Sequence, residues 1–282
     1  MSSTLLIMSL LLGDADPIPV GKAEMTVTVN DTPITVYTYR PKTYTDGPLI
    51  VVMHGILRNA DEYRDHAVVL GDQFNALIAA PKFDDERFSK YRYQRAGILN
   101  EDGTAVKPED RTGAYLPKIV AEIRLREKND KLPYYLIGHS AGGQFLARTS
   151  AFVSTGAERI IAANPGTHLF PVTDADFPLG FGGLPSTIDA EKQIQHYFAQ
   201  PLTLYLGSKD IERDEYLDVS PESDQQGKNR WERGRNNFTA AKKLAEQKGW
   251  KFHWRLVVAD GVDHDHEKMF AHPACKDALF GK

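Results

Sequence analysis

Gly138-His139-Ser140-Ala141-Gly142 follows directly on the apolar run Tyr134-Tyr135-Leu136-Ile137 and precedes Gln144-Phe145-Leu146-Ala147-Arg148. The apolar run reads as a buried strand, and the residues after Gly142 read as good helix. The G-x-S-x-G between them predicts a tight strand-to-helix turn with Ser140 at its apex, the form of a nucleophile elbow. Small residues flank the serine for a steric reason: the turn strains the backbone there, and only glycine or alanine lets strand and helix approach closely. Alone the pattern is weak, and its position between strand and helix gives it weight.

On either side of this stretch lie further apolar runs that do not alternate: Leu49 to Met53, Ala76 to Ala80, Ile160 to Ala163 and Leu202 to Leu206, with Phe252 to Val258 closing the series. Strands covered on both faces have this character. Met25 to Val29 and Ile34 to Tyr39 alternate instead, and they predict an antiparallel hairpin of edge strands. Helical stripes separate the runs. Leu116, Ile119, Val120 and Ile123 form one, with Thr112 as N-cap, and Phe238, Ala241, Leu244 and Ala245 form another that stops at Gly249. Alternating strands and helices give an α/β fold with a mostly parallel central sheet and helices on both faces. Pro171 to Thr187 and Asp210 to Asn229 fit neither period and read as long functional loops.

The chain has 282 residues, 41% of them hydrophobic, which is enough for one substantial domain over 21–282. A net charge of -4 without a basic block argues against nucleic acid as a partner. The single cysteine, Cys275, excludes an internal disulfide and leaves the compartment open. Residues 1–20 form an apolar segment whose Leu5 to Leu12 has the length of a signal-peptide core but no preceding Lys or Arg. It predicts a weak export signal, hence a secreted or periplasmic protein, against a short arm packed on a cytoplasmic domain. It is too short to span a bilayer, so no membrane partner is expected.

A serine hydroxyl is a poor nucleophile near neutral pH and needs a base that takes its proton and returns it to the leaving group. His264, in Gly261-Val262-Asp263-His264-Asp265-His266 after the last strand, is the candidate, with His266 as its competitor. The acid that orients such a base is expected at Asp210, just past the penultimate strand, although a solvated acidic loop with Glu212 and Asp214 would read the same way. Backbone amides of Ala141, after the serine, and of Ile56, in Met53-His54-Gly55-Ile56, are the expected oxyanion donors. Asp263 to Glu267 also has metal-ligand residue types. Neighbours in a row rarely converge on one ion, and there is no H-E-x-x-H or cysteine pair, so neither a metal nor a cofactor is expected.

With these residues in place, the chain resembles the α/β-hydrolase superfamily, and within it the poly(3-hydroxybutyrate) depolymerase-like branch. The resemblance runs from about Thr35 to His272. It is carried by His54-Gly55 with Arg58-Asn59-Ala60 and Tyr63-Arg64-Asp65, by the elbow, and by Asn164-Pro165-Gly166 with Phe177-Pro178 and Gly180. Gly207, Arg233-Gly234, Phe238, Trp254-Arg255 and Gly261 to Asp265 extend it. It implies an esterase or depolymerase working through an acyl-enzyme, with Ser140, Asp210 and His264 as triad. His54, Arg58, Tyr63, His139 and Trp231 are the expected substrate-binding residues. Poly(aspartic acid) hydrolases are similar to this branch, so amide cleavage in an anionic polymer is the alternative; a non-catalytic binding module is a third. Arg58, Arg64, Arg92, Arg95, Arg230, Arg233 and Arg235 would suit an anionic chain if they flanked the site, whereas ordinary ion pairing with neighbouring acids is the simpler account.

Overall fold

The computed structural model describes residues 16–281. The apolar stretch read as an export signal, Leu5 to Leu12, lies outside them. Eight strands form one sheet in the order β1-β2-β4-β3-β5-β6-β7-β8. They are β1 (Gly21–Val29), β2 (Thr32–Arg40), β3 (Leu49–Met53), β4 (Leu77–Pro81), β5 (Tyr134–His139), β6 (Arg159–Ala163), β7 (Leu202–Gly207) and β8 (Arg255–Ala259). From β4 across to β8 every pairing is parallel, while β1-β2 and β2-β4 are antiparallel.

The hairpin forms because Asn30 and Asp31, at φ of 48° and 60°, supply the left-handed turn that matches strand twist. Only β1 is an edge. β2 pairs with β4 through Val36 to Tyr39, which corrects the expectation of two edge strands. The central strands are apolar on both faces because both faces are covered. Leu49, Val51 and Met53 of β3 enter one core and Ile50 and Val52 the other, the two-residue period of a strand.

Nine helices lie among the described residues: α1 (Ala60–His66), α2 (Val68–Phe74), α3 (Tyr115–Arg126), α4 (Ala141–Phe152), α5 (Ala190–Phe198), α6 (Pro221–Asp224), α7 (Arg230–Lys248), α8 (His266–Ala271) and α9 (Ala274–Phe280). α3, α4, α5 and α7 contribute Ile119, Phe145, Tyr197 and Ala241 to the first core. α1, α2, α8 and α9 contribute Tyr63, Leu70, Phe270 and Leu279 to the second. α3 starts later than its stripe suggests. Thr112 sits in a 3-10 turn over 112–114 with its hydroxyl buried, so it does not cap the helix. α7 begins at Asn229, whose side chain accepts from the Glu232 amide, and ends at Gly249 in the left-handed conformation.

The chain leaves β3 for β4 on one side, and β5 pairs with β3 on the other. That reversal opens a crevice outside the carboxyl ends of the strands. The loops after β3, β5, β7 and β8 all reach it, and they carry the residues singled out above. Among the described residues no helix is long and apolar enough to cross a membrane.

Candidate active site

Ser140 stands between β5 and α4 at φ 55° and ψ −117°, a conformation that costs an ordinary residue energy and persists because its neighbours hold it. Its amide donates to the Ala163 carbonyl at 2.9 Å and its carbonyl accepts from Gln144 in the first turn of α4. A Cβ at Gly142 would collide with the Met53 and His54 carbonyls, and one at Gly138 with the Gly142 backbone. The glycines therefore let α4 press against the ends of β3 and β5, which leaves the serine half-exposed at the crevice.

The candidate acid and base come from the loops after β7 and β8. Asp210 is 1% exposed, and its Oδ2 accepts from His264 Nδ1 at 2.7 Å. With Nδ1 as donor, the lone pair of His264 is on Nε2, the nitrogen a proton acceptor must offer. Among the described residues no hydrogen bond joins the Ser140 hydroxyl to His264. Such contacts commonly tighten only when substrate is bound. Both loops are tied down. Asn164, after β6, accepts from the Gly207 amide through Oδ1 at 2.8 Å and donates through Nδ2 to the Asp263 carbonyl at 3.3 Å. Behind Asp210 lies Arg230, 1% exposed, with Nη1 3.5 Å from Asp210 Oδ1 and two hydrogen bonds of 2.7 and 2.8 Å to Asp214. Those bonds hold the Asp214 carboxyl below its ordinary pKa.

The amides of Ile56 and Ala141 take part in no backbone hydrogen bond of the loops and turns among the described residues. Ile56 is in the cavity wall beside Ser140, and Ala141 follows the serine at the start of α4. Tyr63 and His139 also line the cavity, with Tyr63 Oη 3.3 Å from His139 Nδ1. His139 is buried and its ring is 4.5 Å from that of His264. Burial first, then the rings of His264 and His266, press its pKa well below the ordinary range and keep it neutral.

Three expected substrate contacts are displaced. His54 is wholly buried: its Nδ1 meets the Gly55 carbonyl at 2.9 Å, its Nε2 accepts from the Phe83 amide, and Tyr93 stacks on its ring. Arg58 turns inward to the Phe88 carbonyl and to Asp85, over the face of Tyr93. Trp231 serves through its backbone, its amide donating to the Asp210 carbonyl at 3.2 Å. Each points where packing sends it, which loop position alone does not reveal. None of the arginines lines the cavity, and ion pairing accounts for some of them. Arg58, Arg64, Arg230 and Arg233 meet acids, whereas Arg92 meets the Asp110 carbonyl and Arg95 and Arg235 lie over the rings of Tyr91 and Trp231. Arg64 binds the Ala23 and Thr38 carbonyls, and Arg233 binds Gly166, Gly227 and Asp218 carbonyls and Asp224.

The cavity itself has a volume of about 680 Å³ and is walled by eight carboxylates against one lysine, Lys209. Ile56, Leu57 and Tyr216, all exposed, add an apolar rim. Sequence reasoning missed Glu62 and His66, whose i, i+4 spacing was the available signal. It placed His266 only as the competitor of His264 for the base, but it is His264 that meets Asp210. The His266 ring stacks on Tyr63 with centroids 4.0 Å apart and 2° between planes, and its Nε2 is 2.8 Å from His66 Nδ1. Burial and the His66 ring push its pKa down to about 4, so it is neutral at ordinary pH.

Sheet, elbow and crevice are those of an α/β-hydrolase, a hydrolase by class. No family model and no curated protein matches the chain. Solved structures do. A poly(3-hydroxybutyrate) depolymerase, LpqC, from Bordetella parapertussis is 33% identical with a TM-score of 0.83, over 92% of this chain and 89% of that one. Poly(aspartic acid) hydrolase-1 from Sphingomonas sp. KT-1 is 27% identical with a TM-score of 0.83, over 89% and 96%. A putative dienelactone hydrolase from Klebsiella pneumoniae subsp. pneumoniae MGH 78578, at 15% identity and a TM-score of 0.54 over 91% and 94%, shares the fold. The chain belongs to the poly(3-hydroxybutyrate) depolymerase-like branch of the α/β-hydrolase superfamily.

Proposed function

We propose that the protein is a serine esterase that cleaves ester bonds of neutral hydroxyacid oligomers or polymers, with Ser140, His264 and Asp210 as its triad. The observation that carries this is the 2.7 Å bond from His264 to a buried Asp210 in the same cavity as a serine held at φ 55°. In this mechanism Ser140 Oγ attacks the ester carbonyl carbon while His264 Nε2 takes its proton. The amides of Ile56 and Ala141 meet the oxyanion, a contribution of about 3 kcal/mol per donor. Collapse breaks the bond to the alcohol oxygen, which leaves with the proton from His264. Water then releases the acid from Ser140 by the same steps.

Support for a neutral substrate comes from the wall. Eight carboxylates and no arginine surround the cavity, a setting that repels a polyanion, while the apolar rim suits an aliphatic polyester. Amide cleavage in poly(aspartic acid), the reaction named for one similar protein, is therefore the weaker reading.

A fluorophosphonate probe is expected to label Ser140, and Ser140→Ala is expected to lose about a millionfold in kcat, with Ser140→Ala/His264→Ala no worse. Hydrolysis of p-nitrophenyl acyl esters and of 3-hydroxybutyrate oligomers is expected to outpace that of poly(aspartate). Faster turnover of poly(aspartate) overturns the ester reading, and an unlabelled serine in folded protein overturns the triad.

A further inference from the structure

The wall of the cavity away from Asp210 contains a second cluster that ester hydrolysis does not use. Glu62 and His66 lie one turn apart on α1, and His266 opens α8, which packs beside it. We propose that Glu62, His66 and His266 bind a divalent cation of the zinc class. One ligand atom from each of the three falls within 4.8 Å of the others. His66 Nδ1 and His266 Nε2 are 2.8 Å apart, and Glu62 Oε1 is 3.9 Å from His266 Nε2. These spacings bracket the roughly 3.3 Å between neighbouring ligands around a tetrahedral zinc with bonds of about 2.0–2.1 Å. Small movements of two surface-facing side chains close the difference.

What separates this cluster from a chance meeting of polar side chains is that each member is aimed by a further group. Asn59 Nδ2 donates to Glu62 Oε2 at 2.5 Å and leaves Oε1 turned toward His266. Glu267 stands 3.7 Å from the far nitrogen of His66, Nε2, which favours the tautomer that presents a bare Nδ1. A carboxylate behind a ligating imidazole is how metal sites orient their histidines. His266 is held by the coplanar Tyr63 ring at 4.0 Å and by the edge of Phe270 at 6.0 Å. Two imidazoles and one carboxylate are also the donor set that zinc and its neighbours prefer, rather than calcium or magnesium. The ion would take one wall of the cavity, so its remaining position is filled by whatever the cavity holds, water or a carboxylate. The excess of acids around that cavity draws cations toward it. Asp263 to Glu267 taken alone lacked partners, and they come from a helix 200 residues upstream in sequence.

The test is a calorimetric titration of the full chain with zinc chloride in a non-chelating buffer near neutral pH. One equivalent is expected to bind, with affinity falling at least about tenfold in His66→Ala and in Glu62→Gln, and about tenfold in Glu267→Gln. Circular dichroism melts establish that each variant is folded, and half-exposed His66 serves where His266→Ala disturbs the stack. His264→Ala keeps the binding, because the triad base is not a ligand. Absence of binding up to about 100 µM zinc, an isotherm unchanged by His66→Ala, or loss of binding in His264→Ala overturns the proposal. None of these readouts depends on the substrate, so the ester reading stands or falls separately.

Discussion

Arg230 serves two carboxylates with different tasks: it forks onto Asp214 and stands 3.5 Å behind the oxygen of Asp210 that His264 leaves free. Buried charges of this sort are costly unless every partner stays in place. Arg230→Met is expected to destabilise the fold by about 3–5 kcal/mol, read by urea unfolding. It is also expected to lower kcat more than it raises KM, because Asp210 would lose its brace while the cavity wall keeps its shape. Arg230→Lys is expected to recover only part, since an ammonium cannot span both Asp214 oxygens. At this scale the sequence is informative about backbone position and poor on direction. That Ser140, Asp210 and His264 line one cavity follows from each standing just past a buried strand. Nothing in the chain says that His54 turns under to the Phe83 amide or that Arg58 folds over Tyr93. Both depend on which aromatic side chains fill the space beneath the loop.

Among the elements, α4 presses on the ends of β3 and β5, and Gly142 is where a side chain would meet rigid backbone. Gly142→Ala is expected to lower the melting temperature by an amount equivalent to about 1–3 kcal/mol, measured by calorimetry. It should also displace the elbow and reduce turnover, an effect that overpacking elsewhere in α4 would not produce. Strands were legible here because a run such as Leu49 to Met53 has no polar face to offer solvent, whatever its neighbours. Short helices were not. α1 and α2 have seven residues each, fewer than two full turns of apolar stripe, and their place is set by the sheet face they cover. The start of α3 was misread for a related reason: Thr112 is buried against the neighbouring loop rather than left at the surface to cap.

For the whole molecule, buried neutral histidines set the response to acid. Burial pushes the pKa of His54 and His168 down to about 3 and that of His266 to about 4, from an ordinary 6.5. The unfolded chain therefore binds more protons than the native one below about pH 6.5, and stability falls as pH drops toward those native values. Each such histidine contributes up to about 1.4 kcal/mol per pH unit within its window. A melting temperature that declines steadily from about pH 7 to 5 is expected, and a flat profile there would mean these rings charge without cost. The charge pattern of the cavity also belongs to this scale, and only folding exposes it, because Arg58, Arg64, Arg230 and Arg233 are taken up by backbone carbonyls and acids outside the cavity or at its edge. Asn164 also acts at this scale, since its one side chain bonds two segments far apart in the chain. By clipping the beginnings of the loops after β7 and β8 to one another, it makes Asp210 and His264, the proposed acid and base, a single mechanical unit. The long excursion from Ile211 to Lys228 hangs beyond that clip. Evolution is thus free to redraw the rim and change the clientele while Asp210 and His264 stay where they are.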